Sequence, residues 1–535
     1  MPSTNTAHEA ARRRTFAIIS HPDAGKTTLT ENLLLASGAI RQAGAVRARG
    51  ERRRTRSDWM KIERERGISV SASVMTFEHR ALVFNLLDTP GHEDFSEDTY
   101  RTLTAADCAV MVIDAAKGIE PQTLKLFEVC RLRDIPIITF INKMDREALD
   151  PFELIDEIQD KLALDAAPLR WPVGSGERYR GVADRAGGSF IPFRRQSGDG
   201  QAEASFLQES VPLEGDDVAA IVEPEALAQL RDELELVGDG YAQFDLQSFR
   251  EGHLTPVLFG SALRGAGVTD LLDTLADIAP APESVEALDG QCYDPGGEEV
   301  AGFVFKVQAN MDPQHRDRIA FVKLVSGAFH RGMKLKPSVD RKALTVSSPI
   351  MFFAQDRDVA EEAFAGDVMG VPNHGILRVG DSLSESGRAQ FAGIPNFAPE
   401  ILRRARVTDP MKNKHLRKAL EGLAEEGVTQ LFKPAIGAEL VVGAVGALQF
   451  DVMVERLRAE YGLDVVFETP PFETARWIAT DDDEALEDFA SRYRGQMAED
   501  LDGAPVFLAK NAWEAGYAEE RNPTLRFLKA RERGA

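Results

Sequence analysis

The chain has 535 residues, 43% hydrophobic and 28% charged, a composition typical of a folded chain of about three domains. No apolar run approaches the ~20 residues that span a bilayer, and the amino terminus lacks the apolar core of a secretory signal, so we expect a cytoplasmic protein with no membrane partner. The net charge of −23 argues against a protein that coats DNA or other nucleic acid non-specifically.

The first predicted elements are a buried strand, a tight turn and a helix within residues 15–28, TFAIISHPDAGKTT. The backbone N–H groups of such a turn and the positive end of the helix dipole bind phosphate. Lys26 supplies a charge for the β- and γ-phosphates, and the Thr27 hydroxyl is a Mg²⁺ ligand. The residues assigned to nucleotide binding here are Ser20, His21, Pro22, Asp23, Ala24, Gly25, Lys26, Thr27 and Thr28.

Ser20 stands where the usual pattern G-x-x-x-x-G-K-[ST] has glycine. On this stretch alone, an ordinary glycine turn before a helix therefore remains an alternative.

A basic segment, residues 41–66, follows and ends in a polar stretch that is typical of a switch loop. In that polar stretch, residues 57–73, Ser69 offers a hydroxyl that would complete Mg²⁺ coordination, although an ordinary surface serine is an alternative. A second basic stretch covers residues 403–418. Either stretch is a candidate for RNA contact, and a solvated protein face is the alternative for both.

Residues 81–87, ALVFNLL, predict a buried strand that places the sequence D-T-P-G-H at its carboxyl end. Ligands of open α/β sheets bind beyond the carboxyl ends of the strands. We therefore expect Asp88 to hold Mg²⁺ through water, the Gly91 N–H to contact the γ-phosphate, and His92 to act as the catalytic residue beside the attacking water. A structural or exposed histidine is the alternative. The assigned residues are Asp88, Thr89, Pro90, Gly91 and His92.

Two further apolar runs, residues 108–113 and 135–141, predict strands of the same sheet. The second leads to the base-recognition sequence Asn142, Lys143, Met144 and Asp145. A carboxylate at Asp145 can accept from both N1–H and the exocyclic amino group of guanine, donors that adenine lacks in that arrangement.

After a fourth strand come Ser261, Ala262 and Leu263, where a backbone N–H is expected to donate to guanine O6. Asn142 is expected to tie the loops together, and the Lys143 stem to cover the guanine ring. The order of the strand-end motifs predicts a GTP-binding domain that also requires Mg²⁺.

The order of these motifs resembles that of the translational GTPases, a family that includes elongation factor G. SHPDAGKTT, SDWMKIERERGIS, FVFKVQANMDPQHRDRIAF, GIPNFAPE and VGAVGALQFDV resemble the bacterial peptide chain release factor 3 branch of that family. The resemblance implies a ribosome-activated GTPase of translation termination that helps class I peptide release factors leave the ribosome after peptide release. A GTP-regulated ribosome-binding scaffold and an elongation factor G-like translocation factor are the alternatives.

Composition changes along the chain predict three units: a GTP-binding domain at 1–282 with an inserted subdomain at about 165–250, a β-barrel domain at 283–390, and an α+β domain at 391–535. The predicted fold class is therefore α/β, a P-loop GTPase domain with a doubly wound sheet followed by a β-barrel and an α+β domain. We expect no room beyond the third unit for the further domains of a translocase.

Overall fold

The computed structural model describes residues 4–40, 71–185, 188–193, 210–309, 318–338, 342–353, 357–373, 375–392, 394–437 and 439–532. Ser69 and the basic segment 41–66 lie outside the described residues. We call residues 4–282 the first region, 283–392 the second region and 394–532 the third region. None of the helices in the described ranges is long and apolar enough to cross a membrane.

The first region is organised around a seven-stranded sheet with one antiparallel edge pair and otherwise parallel pairing. Alternate residues of its strands enter two separate cores, as Phe16 and Ile18 do on one face and Ala17 and Ile19 on the other. The strands, in spatial order, are Ser73–His79, Leu82–Asp88, Arg13–Ser20, Cys108–Asp114, Ile137–Asn142, Leu254–Phe259 and Asp165–Pro168.

Helices cover both faces of this sheet, so it is doubly wound as predicted. Lys26–Ala36 and Val268–Ile278 contribute buried leucines to one core, while Pro121–Leu132 and Pro151–Leu162 contribute to the other. The register pairs Ile18 with Asp88 and Asp114 with Asn142, which brings the carboxyl ends of the central strands to one edge. The other helical elements that accompany this seven-stranded sheet are Thr4–Ala11, Glu93–Phe95, Ser96–Leu103 and Ala262–Arg264.

The first region also contains a four-stranded antiparallel sheet, formed by residues that lie in sequence between the strands Asp165–Pro168 and Leu254–Phe259. It begins only at Arg170, because Asp165–Pro168 pairs with Leu254–Phe259 in the main sheet. Its strands are Arg170–Val173, Gly181–Asp184, Ser189–Pro192 and Val211–Pro212, with the helical elements Gly176–Arg178, Asp216–Ala219, Pro224–Gly240 and Leu246–Arg250.

The second region, predicted as a β-barrel domain, is a half-barrel built around an eight-stranded sheet. Its valines, leucines and Phe329 form a core of their own. The strands are Leu344–Thr345, Lys334–Pro337, Ser382–Ser384, Ala301–Ala309, Arg318–Ser326, Val368–Asn373, Ile350–Phe352 and Arg357–Val359, with the separate pairs Ala328–His330 and Glu362–Phe364, and Val285–Glu286 and Cys292–Tyr293.

The third region is α+β, an eight-stranded sheet with amphipathic helices packed on it. The strands are Val465–Glu468, Ile401–Val407, Val441–Ala444, Gln430–Pro434, Met497–Glu499, Pro505–Ala509, Thr474–Ala479 and Arg526–Leu528, with the separate pair Pro395–Phe397 and Ala530–Glu532. The helical elements are Pro410–Lys412, Asn413–Glu425, Ala447–Tyr461, Asp483–Arg492 and Ala512–Arg521.

Candidate nucleotide site

The phosphate loop joins the buried strand Arg13–Ser20 to the helix Lys26–Ala36. Two residues of the loop have positive φ, Asp23 at 65° and Gly25 at 98°. A Cβ on Gly25 would lie 2.3 Å from Asn142 Nδ2, so both the backbone angle and the space require glycine. Ser20 ends the strand without a positive φ, which explains why a serine is compatible with this first position of the motif.

Lys26 and Asp88 form a buried ion pair at the amino end of this helix. Thr30 Oγ1 also donates to Asp88 Oδ1, at 3.4 Å. The two residues assigned to phosphate and to Mg²⁺ are therefore adjacent, next to the half-buried Thr27. Hydroxyl and carboxylate oxygens are the donors that Mg²⁺ prefers, so Thr27 and Asp88 fit a magnesium site in their chemistry.

The D-T-P-G-H loop lies against the phosphate loop. Thr89 Oγ1 donates to the Ile18 carbonyl at 2.7 Å, and a Cβ on Gly91 would lie 3.7 Å from Pro22 Cα. Thr99 Oγ1 donates to the Pro90 carbonyl at 3.2 Å, which ties the loop to the helix that follows it.

His92 follows this loop with its side chain 34% exposed. Its Nδ1 accepts the backbone N–H of Asp94 at 3.2 Å, and the ring meets the edge of the buried Phe95. In a neutral imidazole whose Nδ1 is an acceptor, Nε2 carries the proton. In this tautomer the Nε2 of His92 is a hydrogen-bond donor.

Asn142 connects three loops at the other end of the site. Its Nδ2 donates to the Ala24 carbonyl at 2.8 Å, and its Oδ1 accepts from the Ala262 N–H at 2.8 Å. Lys143 Nζ donates to the Asp23 carbonyl at 2.5 Å and to Asp114 Oδ2 at 2.7 Å. The sequence analysis assigned no role to Asp114 and missed this pairing.

Ser261 Oγ donates to Asp145 Oδ1 at 2.5 Å, a contact that the sequence prediction also missed. Met144 is fully buried, and its N–H donates to the Gly260 carbonyl at 3.0 Å, so it fixes the two loops relative to each other. The structure thus brings together the phosphate loop, the D-T-P-G-H loop, the Asn142–Asp145 loop and the Ser261–Leu263 loop at one edge of the sheet.

The helix after His92, Ser96–Leu103, contacts both other regions. Arg101 forms a buried ion pair with Glu97 at 2.9 Å and donates to the Gly427 carbonyl of the third region. Gln430 Nε2 of the third region donates to Glu97 at 3.2 Å. From the second region, Lys306 lies 3.5 Å from the Asp98 carboxylate.

Family models match three successive parts of the chain. The elongation factor Tu GTP binding domain matches residues 11–281, just over half of the 535 residues, and the chain therefore belongs to this family of GTPases. Elongation factor G domain 2 matches residues 299–386, and the model described as class II release factor RF3, C-terminal domain, matches residues 391–519. Together they define a translational GTPase of the release factor 3 type, as the sequence motifs predict.

A solved structure supports the fold. The crystal structure of a protein from Thermus thermophilus is 24% identical and superposes with a TM-score of 0.67 over 87% of this chain and 69% of that chain. At this identity, the likeness bears on the fold alone.

Proposed function

We propose that this protein is a ribosome-stimulated GTPase of translation termination, which converts GTP and water to GDP and phosphate and promotes dissociation of class I peptide release factors after peptide release. The observation that carries the proposal is the match to a release factor 3 C-terminal domain on the same chain as a GTPase domain whose motifs meet at one sheet edge.

In this proposal Lys26 exchanges its Asp88 partner for the β- and γ-phosphates of GTP. Because the ammonium and the carboxylate are both buried, each needs a compensating charge, and the exchange frees Asp88 for a cation. Thr27, Ser69 and Asp88 would hold Mg²⁺, which when bound neutralises phosphate charge.

His92 acts as the catalytic residue by orienting the attacking water. Its Nδ1 is bonded to the Asp94 N–H, so the Nε2–H is the group left to donate to the water oxygen or to charge developing on the γ-phosphate. This geometry supports orientation of the water by the neutral ring over removal of its proton.

Asp145 recognises guanine, and the Ser261 hydroxyl holds its carboxylate in place. The stem of Lys143 lies against the guanine ring. The N–H of Ser261 donates to the Ala266 carbonyl and that of Ala262 to Asn142 Oδ1. Guanine O6 therefore shares the Ala262 N–H with Asn142 or takes the N–H of Leu263.

We assign contact with ribosomal RNA to locally basic stretches of the chain, although the protein as a whole is acidic. Arg404 and Arg406 are paired with Glu439 at 3.2 and 3.1 Å, which neutralises part of the second basic stretch. The cations of that stretch that face solvent on the helix Asn413–Glu425 are Lys414, Arg417 and Lys418. Binding to ribosomes through such residues weakens as salt increases.

The test is the release of a labelled class I release factor from post-termination ribosomes, followed by stopped flow. We expect faster dissociation with this protein and GTP than with GDP, and no acceleration by a Lys26→Ala variant. Equal dissociation rates with and without the protein, while it hydrolyses GTP on the same ribosomes, would reject the termination role and leave the GTPase intact.

A further inference from the structure

The loop that carries His92 is bonded directly to the third region. Asp94 Oδ2 accepts the backbone N–H of Leu448 at 2.7 Å. Leu448 is the second residue of the helix Ala447–Tyr461, so the Asp94 carboxylate caps the amino end of that helix from another part of the fold. A carboxylate at this position satisfies an otherwise unpaired N–H and is favoured by the helix dipole.

Gly446 makes this close approach possible. Its backbone is ordinary, with φ of −137°, but a Cβ there would lie 2.0 Å from Asp94 Cγ. The turn is held by Gln449, whose Oε1 accepts the N–H groups of Val445 at 2.7 Å and Gly446 at 3.2 Å. Space for the Asp94 carboxylate, and not backbone conformation, therefore requires glycine at 446.

The same residue contacts His92. The Asp94 N–H donates to His92 Nδ1 at 3.2 Å, while the Asp94 side chain is only 16% exposed. Asp94 thus connects His92 with the third region: its backbone N–H contacts the imidazole, and its carboxylate contacts the third region. The hydrogen bond that defines the donor nitrogen of His92 comes from a residue that the third region holds in place.

We propose that Asp94 is a positioning residue through which the third region sets the orientation of His92, so that GTP hydrolysis requires the docked third region whereas GTP binding does not. The inference rests on the proposed catalytic role of His92. When the helix Ala447–Tyr461 moves away, Asp94 loses its anchor, and the imidazole loses the fixed partner of its Nδ1.

The test compares Asp94→Ala, Asp94→Asn and Gly446→Ala in the full chain, with single-turnover GTP hydrolysis at saturating ribosomes and GTP affinity as readouts. Asp94→Ala and Gly446→Ala should lower the hydrolysis rate by roughly 10- to 100-fold, the scale of a misplaced catalytic group, without changing GTP affinity or the ribosome concentration for half-maximal rate. Asp94→Asn keeps an oxygen acceptor for the Leu448 N–H and should retain most of the rate.

A double variant identifies the shared contact. With the carboxylate removed, the added methyl of Gly446→Ala has room, so Asp94→Ala with Gly446→Ala should hydrolyse GTP no more slowly than Asp94→Ala alone. Gly516→Ala is the matched control, because a Cβ at this helical glycine of the third region meets nothing within 4 Å.

Each other outcome overturns a specific claim. Additive losses, or weaker GTP binding in the Asp94 variants, would show that the residues act separately or only support folding. Wild-type rates for Asp94→Ala and Gly446→Ala beside a slow His92→Ala would reject the coupling alone. A wild-type rate for His92→Ala would instead reject the catalytic role on which the inference rests.

Discussion

The loops of Asn142–Asp145 and Ser261–Leu263, which we propose to bind guanine and call the guanine end, are held by hydrogen bonds within the first region. The loop that carries His92 is also bonded to the third region. Asn142 and Ser261 join loops of the first region to each other. Asp94 and Arg101, in contrast, bond to Leu448 and Gly427. In the proposed function, recognition of the nucleotide therefore depends on one region, and the geometry proposed for hydrolysis depends on how the regions are docked.

The second region is attached at the opposite end of the phosphate-loop strand. Lys323 donates to Thr15 Oγ1 at 2.6 Å and pairs with Asp107 at 2.9 Å, and Arg13 Nε lies 3.2 Å from Asp367. Charges buried in this way are costly to leave unpaired, so the contact favours one docked arrangement. It lies at the amino end of the strand, away from the nucleotide loops, which again leaves the guanine end to the first region alone.

The largest effect is expected from Lys26→Ala, which removes a group that we expect to serve both nucleotide binding and hydrolysis. Its ammonium neutralises phosphate in the ground state and in the transition state, so GTP affinity and hydrolysis should both fall severely. A nucleotide titration and a turnover assay measure the two effects. Lys161 is half-exposed, and Lys161→Ala is the control. GTP binding as tight as in the wild type would contradict the phosphate-loop assignment.

His92→Ala separates hydrolysis from binding. Ribosome-stimulated turnover should fall by roughly 10²-fold or more, the range for a positioned catalytic group, while GTP affinity stays unchanged. Single-turnover hydrolysis on ribosomes checks this prediction. The exposed His253, which precedes the strand Leu254–Phe259, supplies the control His253→Ala, and an unchanged rate for His92→Ala would assign this histidine a structural role.

Asp145→Asn tests the guanine end in the same way. The amide presents an N–H₂ to one of the two guanine donors, and each charged hydrogen bond is worth about 1.5–3 kcal/mol, so Kd for GTP should rise by about tenfold or more. Competition binding with GTP and ATP measures the change, with the exposed Asp160→Asn as the control. Equal competition by ATP and GTP in the wild type would contradict base recognition by Asp145.

Ser261→Ala should have the smallest effect. It removes a hydrogen bond that positions the Asp145 carboxylate but leaves the carboxylate itself in place, and so should weaken GTP binding by only roughly two- to tenfold without a change in the hydrolysis rate of bound GTP. In the Asp145→Asn background the same substitution should add little. A slower hydrolysis step in Ser261→Ala would show that the two ends of the site are not independent.

The sequence by itself determined the local parts of the site. Apolar runs that end in polar residues identify parallel strands and place Asp88, Asn142 and Asp145 at their carboxyl ends, because side-chain alternation and strand-end position depend on neighbouring residues. Gly25 was predictable for the same reason, since the phosphate turn requires its backbone angle locally. The spatial order of the strands within each sheet was not, because it depends on how distant segments of the chain pair.

Only the tertiary structure decided which of these side chains pair with one another. Lys26 and Asp88 are 62 residues apart, Ser261 and Asp145 are 116 apart, and Asp94 and Leu448 are 354 apart. No periodicity or local motif specifies such pairs, because they depend on strand order within the sheet and on the docking of one region against another. Local motifs therefore suffice to predict the loops that we propose for guanine, whereas the link between His92 and the third region required the folded chain.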